Sequence, residues 1–247
     1  MRILGDSQIT NADITATNIL SAALTNKLQT FQLTDNMRTI ANSTQIDFTF
    51  NGVIPDLNCI ALCGSNLSPA AVVTLSYSDT DINSPDDSIV LPIFSTLHQV
   101  FFLSSVLNKK YWRITIADTG NSILFFGYLY TGVYFQVPAV QFAHGAALSI
   151  FSNGQFTPTG QRYGSKLYNG LPVDFTMFLE YDDLEEYFAI KQSKQDIDPV
   201  LLIEFEESYA MSLYRPKYGV LITAENPYPM QNVPLTYEIP ARLEEIF

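Results

Sequence analysis

Residues Thr44–Val53, TQIDFTFNGV, alternate without a break. Ile46, Phe48 and Phe50 fall on one side of an extended chain, Gln45, Asp47 and Thr49 on the other, and Asn51-Gly52 ends the run as a turn. The same signature, a short run of β-branched or aromatic residues followed by turn formers, recurs along the first half. Cys59–Cys63 is continuously apolar, as in a strand buried on both faces. Gly64-Ser65-Asn66 then turns the chain into a strand over Val72–Tyr77. In that turn Ser65, Asn66 and Ser68 are expected to bond their own backbone, with Leu67 folding onto the sheet. Ser78–Ser88 reads as a loop, and Pro92 in SIVLPIF marks an edge strand or a bulge. HQVFFLSS, KYWRITIADTGNS and ILFFGYLYTG each read as a further strand. Strands this short, at this spacing, predict a β-sandwich or jelly roll.

Two stretches lack this pattern. Thr10–Asn36 keeps neither a helical nor a strand period and reads as loops and short strands. From Pro138 the texture changes, and His144–Gly170 is rich in loop residues. PVDFTMFLEY, PVLLIEFEE, YGVLIT and LTYEIP read as strands. One helix is expected over about 182–195, capped by Asp182 or Asp183, with Leu184, Tyr187, Phe188 and Lys191 on one face. The expected organisation is mainly β: a jelly-roll β-sandwich over 1–137, then a smaller β-rich domain over 138–247. The second domain carries the helix and, at about 143–170, an assembly arm, since so long a loop-rich stretch rarely packs alone.

Composition narrows the function. Hydrophobic residues make up 47% and charged residues 15%, the reverse of a disordered chain. The net charge of −12 repels phosphate backbones, so no direct nucleic-acid partner is expected. Few charges and many aromatics point instead to protein partners. No apolar run reaches the length of a membrane span, the longest being Ile123–Val137, broken by Gly127 and Gly132. The N-terminus shows no secretory signal, so a soluble chain made in a cytoplasm is expected.

Reactive chemistry is hard to find. Zincin, nucleophile-elbow and phosphate-loop motifs are absent. Cys59 and Cys63 on one strand stand roughly 13 Å apart, too far for a disulfide, and read as buried thiols. His98 and His144 sit in no ligand motif. The acids Asp182, Asp183, Glu185 and Glu186 complement a helix start, and of Glu204, Glu206 and Glu207 the first two alternate with Phe205 and read as strand-face residues. The loop bearing Asp79, Asp81, Asp86 and Asp87 has carboxylates for calcium but not EF-hand spacing, and reads as a solvated hairpin. Trp112, between Tyr111 and Arg113, reads as core and not as a sugar platform. The expectation is a protein with no catalytic, cofactor-binding or metal-binding residues, and not an enzyme.

The order of the first-half elements resembles a set of tailed-bacteriophage virion proteins that carry a galactose-binding-like (discoidin-type) jelly roll. The resemblance rests on the Gly64–Ser68 turn, the Tyr111–Ile116 strand, the Asp118–Asn121 turn and the Gly127–Gly132 segment, and spans roughly Ile14–Tyr134. VDFTMFLEYDDLEEYFAI and RPKYGVLI resemble the second part of the same proteins more loosely. It implies a structural component of the virion, in the tail, baseplate or neck. Its partners would be other virion proteins and copies of itself. The alternative it leaves open is a carbohydrate-binding module that attaches a particle to a surface glycan.

Overall fold

In the computed structural model the alternation of residues 44–50 becomes the centre of a sheet. The structure describes residues 1–30, 33, 36–93, 97–142, 149–156, 162–170, 173–194, 200–204, 215–223, 228–229 and 235–245. Strand β1 (Arg2–Leu4) opens the chain. It is followed by β2 (Ala12–Ala16), β3 (Met37–Arg38), β4 (Ser43–Phe50), β5 (Leu57–Cys63), β6 (Ala71–Ser78), β7 (Asp87–Leu91), β8 (Gln99–Leu107), β9 (Tyr111–Asp118), β10 (Phe125–Phe126) and β11 (Tyr128–Gly132). Beyond these come β12 (Tyr134–Gln136), β13 (Ala139–Phe142), β14 (Ser149–Phe156), β15 (Arg162–Gly170) and β16 (Val173–Glu180). Helix α1 (Tyr181–Lys194), β17 (Val200–Glu204), β18 (Arg215–Thr223), β19 (Tyr228–Pro229) and β20 (Thr236–Glu245) complete the series.

The chain is mainly β and divides into two units, one of Leu4–Tyr134 with Glu204–Pro216, the other of Met1–Ile3, Phe135–Ile203 and Lys217–Phe247. The first is an antiparallel jelly-roll sandwich. Its five-stranded sheet runs β2-β4-β9-β6-β7 and its three-stranded sheet β11-β5-β8. Period-two patterning fixes the register, since a one-residue slip would turn each apolar face to water. Phe48 pairs with Trp112 and Ile46 with Ile114 across β4 and β9, and Leu75 pairs with Ile114 across β6 and β9. All of these side chains are fully buried. Trp112 stacks on Phe48 with rings 3° from parallel and donates its Nε1–H to the Lys109 carbonyl at 2.7 Å, so the sandwich core holds it. Cys59–Cys63 is buried on both faces. Tyr128–Gly132 covers one edge of β5, and the 3-10 turns at Gln8–Asn11 and Ala22–Gln29 approach β11.

Sequence expectation and structure part at several places. Residues 10–36 contain those two 3-10 turns as well as short strands. ILFFGYLYTG is two strands, because the chain breaks at Gly127, where a Cβ would lie 2.8 Å from the Leu33 backbone.

The second unit is built on the sheet β12-β1-β17-β18-β20-β16-β13, with β19 beside β20. Its core includes Phe175, Met177, Leu179, Ile239 and Leu243, covered by Leu184 and Tyr187 of α1. Strand β1 lies in this sheet next to β12, so Met1–Ile3 belong to the second unit and the jelly roll is an excursion between two neighbouring strands. LTYEIP extends to Glu245 through Pro240. Proline is tolerated there because β19 pairs with residues 237–238 and β18 with 241–245, so Pro240 faces the gap between them.

Helix α1 starts at Tyr181, and Asp183 reaches back to accept the Glu180 N–H at 3.2 Å. This is the reciprocal half of a capping box. Leu184 and Tyr187 face the core, but Phe188 turns outward, 41% exposed, since the true buried stripe continues through Ile190 and Lys194.

Within the stretch expected to be loop-rich, residues 149–156 and 162–170 are strands, whereas 143–148 and 157–161 lie outside the described residues. Strands β14 and β15 pair only with each other, from Ser149 opposite Gly170 to Phe156 opposite Arg162, with Gly154 opposite Gly164 and a bulge after Phe151. Its glycines and polar residues imitate loop composition, whereas the pairing is set across the hairpin.

Candidate functional site

The register gathers loops at the two ends of the sandwich. At one end, β5 stops at Cys63, β6 starts at Ala71 opposite Asp118, and β11 starts at Tyr128 opposite Cys63. Two turns far apart in sequence meet there. Asp118, fully buried, accepts the Ser68 N–H at 2.8 Å, the Ser68 hydroxyl, the Gly120 N–H at 2.9 Å and the Asn121 Nδ2–H at 2.8 Å. Burial alone would raise this carboxyl, but the donors from Ser68, Asn121 and Gly120 hold it below the usual carboxylate range. Asn66 ties the same turn to the next segment: its Oδ1 accepts the Phe125 N–H at 2.9 Å and its Nδ2 donates to the Ile123 carbonyl at 3.0 Å. Ser65 N–H donates to the Leu97 carbonyl. Much of the expected local bonding of this turn is thus replaced by cross-links to three other segments, while the Ala70 N–H to Ser68 Oγ and Ala71 N–H to Ser68 carbonyl bonds stay local. Gly64 supplies the left-handed backbone, φ 65°, that starts the turn. Its N–H donates to Nδ1 of His98 at 3.2 Å, and burial lowers that imidazole to about 4, so it is neutral near pH 7.

The opposite end holds the acidic loop. The ammonium of Lys109 bridges Asp79 and Asp86, whose carboxylates would have to turn away to bind a cation. Asp87 accepts the Tyr77 hydroxyl, and Asp81 accepts the Asn83 N–H. The four carboxylates therefore serve three tasks of loop construction. Asp47 and Arg113 form a two-pronged pair at 2.8 Å on the outer face of the large sheet. No group of three metal-ligating side chains occurs among the described residues.

Asp182 and Glu185 are exposed on α1, and burial followed by the charge of Asp183 raises Glu186. Glu204 ends β17; Glu206, Glu207 and His144 lie outside the described residues. Cys59 and Cys63 are buried thiols that form no disulfide, and burial pushes that of Cys63 far up. What the sequence concealed is Asp118, a buried acid that looked like an ordinary turn residue. Its only signal was the D-x-x-N spacing that lets Asn121 reach back to it.

No family model matches the sequence, and no curated protein matches it. Solved structures with a similar arrangement include chitosan-binding module 1 from a chitosanase/glucanase of Paenibacillus sp. IK-5 (13% identity, TM-score 0.43, covering 52% of this chain and 99% of that one). They also include the module CpGH89CBM32-5 of Clostridium perfringens in complex with GalNAc-β-1,3-galactose (8%, 0.42, 52% and 100%). A third is the lectin domain of lectinolysin complexed with Lewis B antigen (8%, 0.41, 52% and 97%). Among the described residues no helix is long and apolar enough to cross a membrane.

Proposed function

We propose that this chain is a non-catalytic structural component of a tailed-phage particle, in its tail, baseplate or neck, made in the host cytoplasm and assembled through protein contacts. The observation that carries the reading is the hairpin β14–β15, which pairs with no other described strand. A lone two-stranded ribbon is marginal in water, so one this long is built to be completed by another surface. The resemblance of the first-half motifs to virion proteins supplies the setting. The ionised groups support the absence of catalysis, since Asp118, Lys109 and Arg113 are committed to holding loops and strands together. Replacing residues 149–170 by a short turn tests the reading: the rest of the chain keeps its melting temperature and particles assemble without it. Normal incorporation of the shortened chain contradicts it.

A second reading is attachment to a surface glycan. It is favoured by the sandwich end where residues 18–20, 38–42, 64–68 and 118–125 meet, a loop set held by a rigid scaffold. Chitosan, for which one similar module is named, and GalNAc-β-1,3-galactose and Lewis B, with which the other two are complexed, are the probes. Saturable binding of any of them to the full chain establishes this reading, and its absence across a glycan array removes it.

A further inference from the structure

The strip joining residues 18–20, 37–40 and 123–126 has two unlike faces. Arg38 pairs with Phe125 and Met37 with Phe126, and Ile19 bridges Thr39. The Thr39 N–H donates to the Leu124 carbonyl, the Ile40 N–H to Asn18 and the Leu20 N–H to Arg38. Strand alternation sends Met37, Thr39, Leu124 and Phe126 inward, all buried. It sends Leu20 (64% exposed), Ile40 (63%) and Ile123 (51%) outward beside the exposed, charged side chain of Arg38. Arg38 uses Nε on Asn36, leaving the end of the guanidinium facing solvent.

Helix α1 carries the complementary surface. Tyr181 (61% exposed) and Phe188 (41%) stand seven positions apart on one helix face, with Glu185 between them. Glu185 is exposed and makes no ion pair among the described residues.

We infer that α1 of one copy docks on the strip of a second copy, Tyr181 and Phe188 against Leu20, Ile40 and Ile123, with Glu185 meeting Arg38. An apolar sheet face covered by a helix is a standard layer solution, and the opposite charges set the orientation. Every copy carries both faces, so a second copy supplies the complement that each one needs. Because the two faces differ, the contact is head-to-tail and either closes into a ring or extends. The inference rests on the assembly through protein contacts given under the proposed function and names one such contact.

Sedimentation velocity on the full chain tests it, with Trp112 fluorescence confirming that each variant is folded. The native chain forms species that grow with concentration. Ile40→Asp and Phe188→Asp each weaken association by about tenfold or more. An equimolar mixture of the two variants forms a dimer and nothing larger, since each retains one intact face. Arg38→Glu also weakens association, and adding Glu185→Arg to it restores the native pattern. A native chain that stays monomeric overturns the inference, as do a Phe188→Asp variant that assembles normally, a mixture without dimer, or a charge swap without rescue. Particle composition separates the two failures: a monomer found in purified particles sinks this contact alone, whereas absence from particles sinks the proposed function.

Discussion

Ser68 and Asp118 lie fifty residues apart in sequence, yet both the N–H and the hydroxyl of Ser68 donate to the Asp118 carboxylate. The turn after β5 and the turn after β9 are thereby locked together at one end of the sandwich, and Gly120 lets them close. A Cβ on Gly120 would stand 2.3 Å from Ser68 Oγ.

Asp118→Asn should therefore cost about 3 kcal/mol, because the buried acceptor of four donors is replaced by a group with donors of its own. Gly120→Ala should also destabilise, through the clash with Ser68. The contribution of Asp118 is present above the unfolded carboxylate value and is lost as pH falls through its lowered folded value. Urea unfolding of both variants checks this, and a midpoint unchanged in either one contradicts the lock.

His98 gives a separate acid sensitivity. Its folded value of about 4 lies below the ordinary 6.5, so the unfolded chain binds the extra proton first. Stability is full above pH 6.5 and declines toward pH 4, by about 3 kcal/mol over that window. His98→Gln should flatten the slope between those limits. A variant with the native slope would show that another group titrates there.

Trp112 is the only tryptophan and is wholly buried. Its emission should be short-wavelength and resistant to iodide, and should not move on addition of chitosan or Lewis B. Trp112→Ala should cost about 3–5 kcal/mol by chemical denaturation followed by circular dichroism. Red-shifted, readily quenched emission would place the ring on the surface.

Calcium should leave the melting temperature of the native chain unchanged, because the Lys109 ammonium already bridges Asp79 and Asp86. Differential scanning calorimetry with calcium and with chelator decides it. A calcium-dependent rise in melting temperature contradicts this reading of the loop.

The strands of the sandwich were legible because their burial alternates: Ile46, Phe48 and Phe50 state their face in sequence, and Cys59–Cys63 states that both faces are covered. Trp112 was legible as core for the same reason. The hairpin was not, since Gly154 and Gly164 oppose each other across strands and give no local sign of extended structure. Nor was the outward turn of Phe188, which helical spacing alone placed beside Leu184 and Tyr187. The Asp118 lock joins residues brought together only by the β6–β9 register, so no local pattern could assign the acid its partners.

The most direct measurement of the central claim is quantitative mass spectrometry of gradient-purified particles released from cells that carry the gene for this chain. The account predicts the chain as an intact, stoichiometric constituent that persists through purification. Its absence from particles that are otherwise complete and infectious would contradict it.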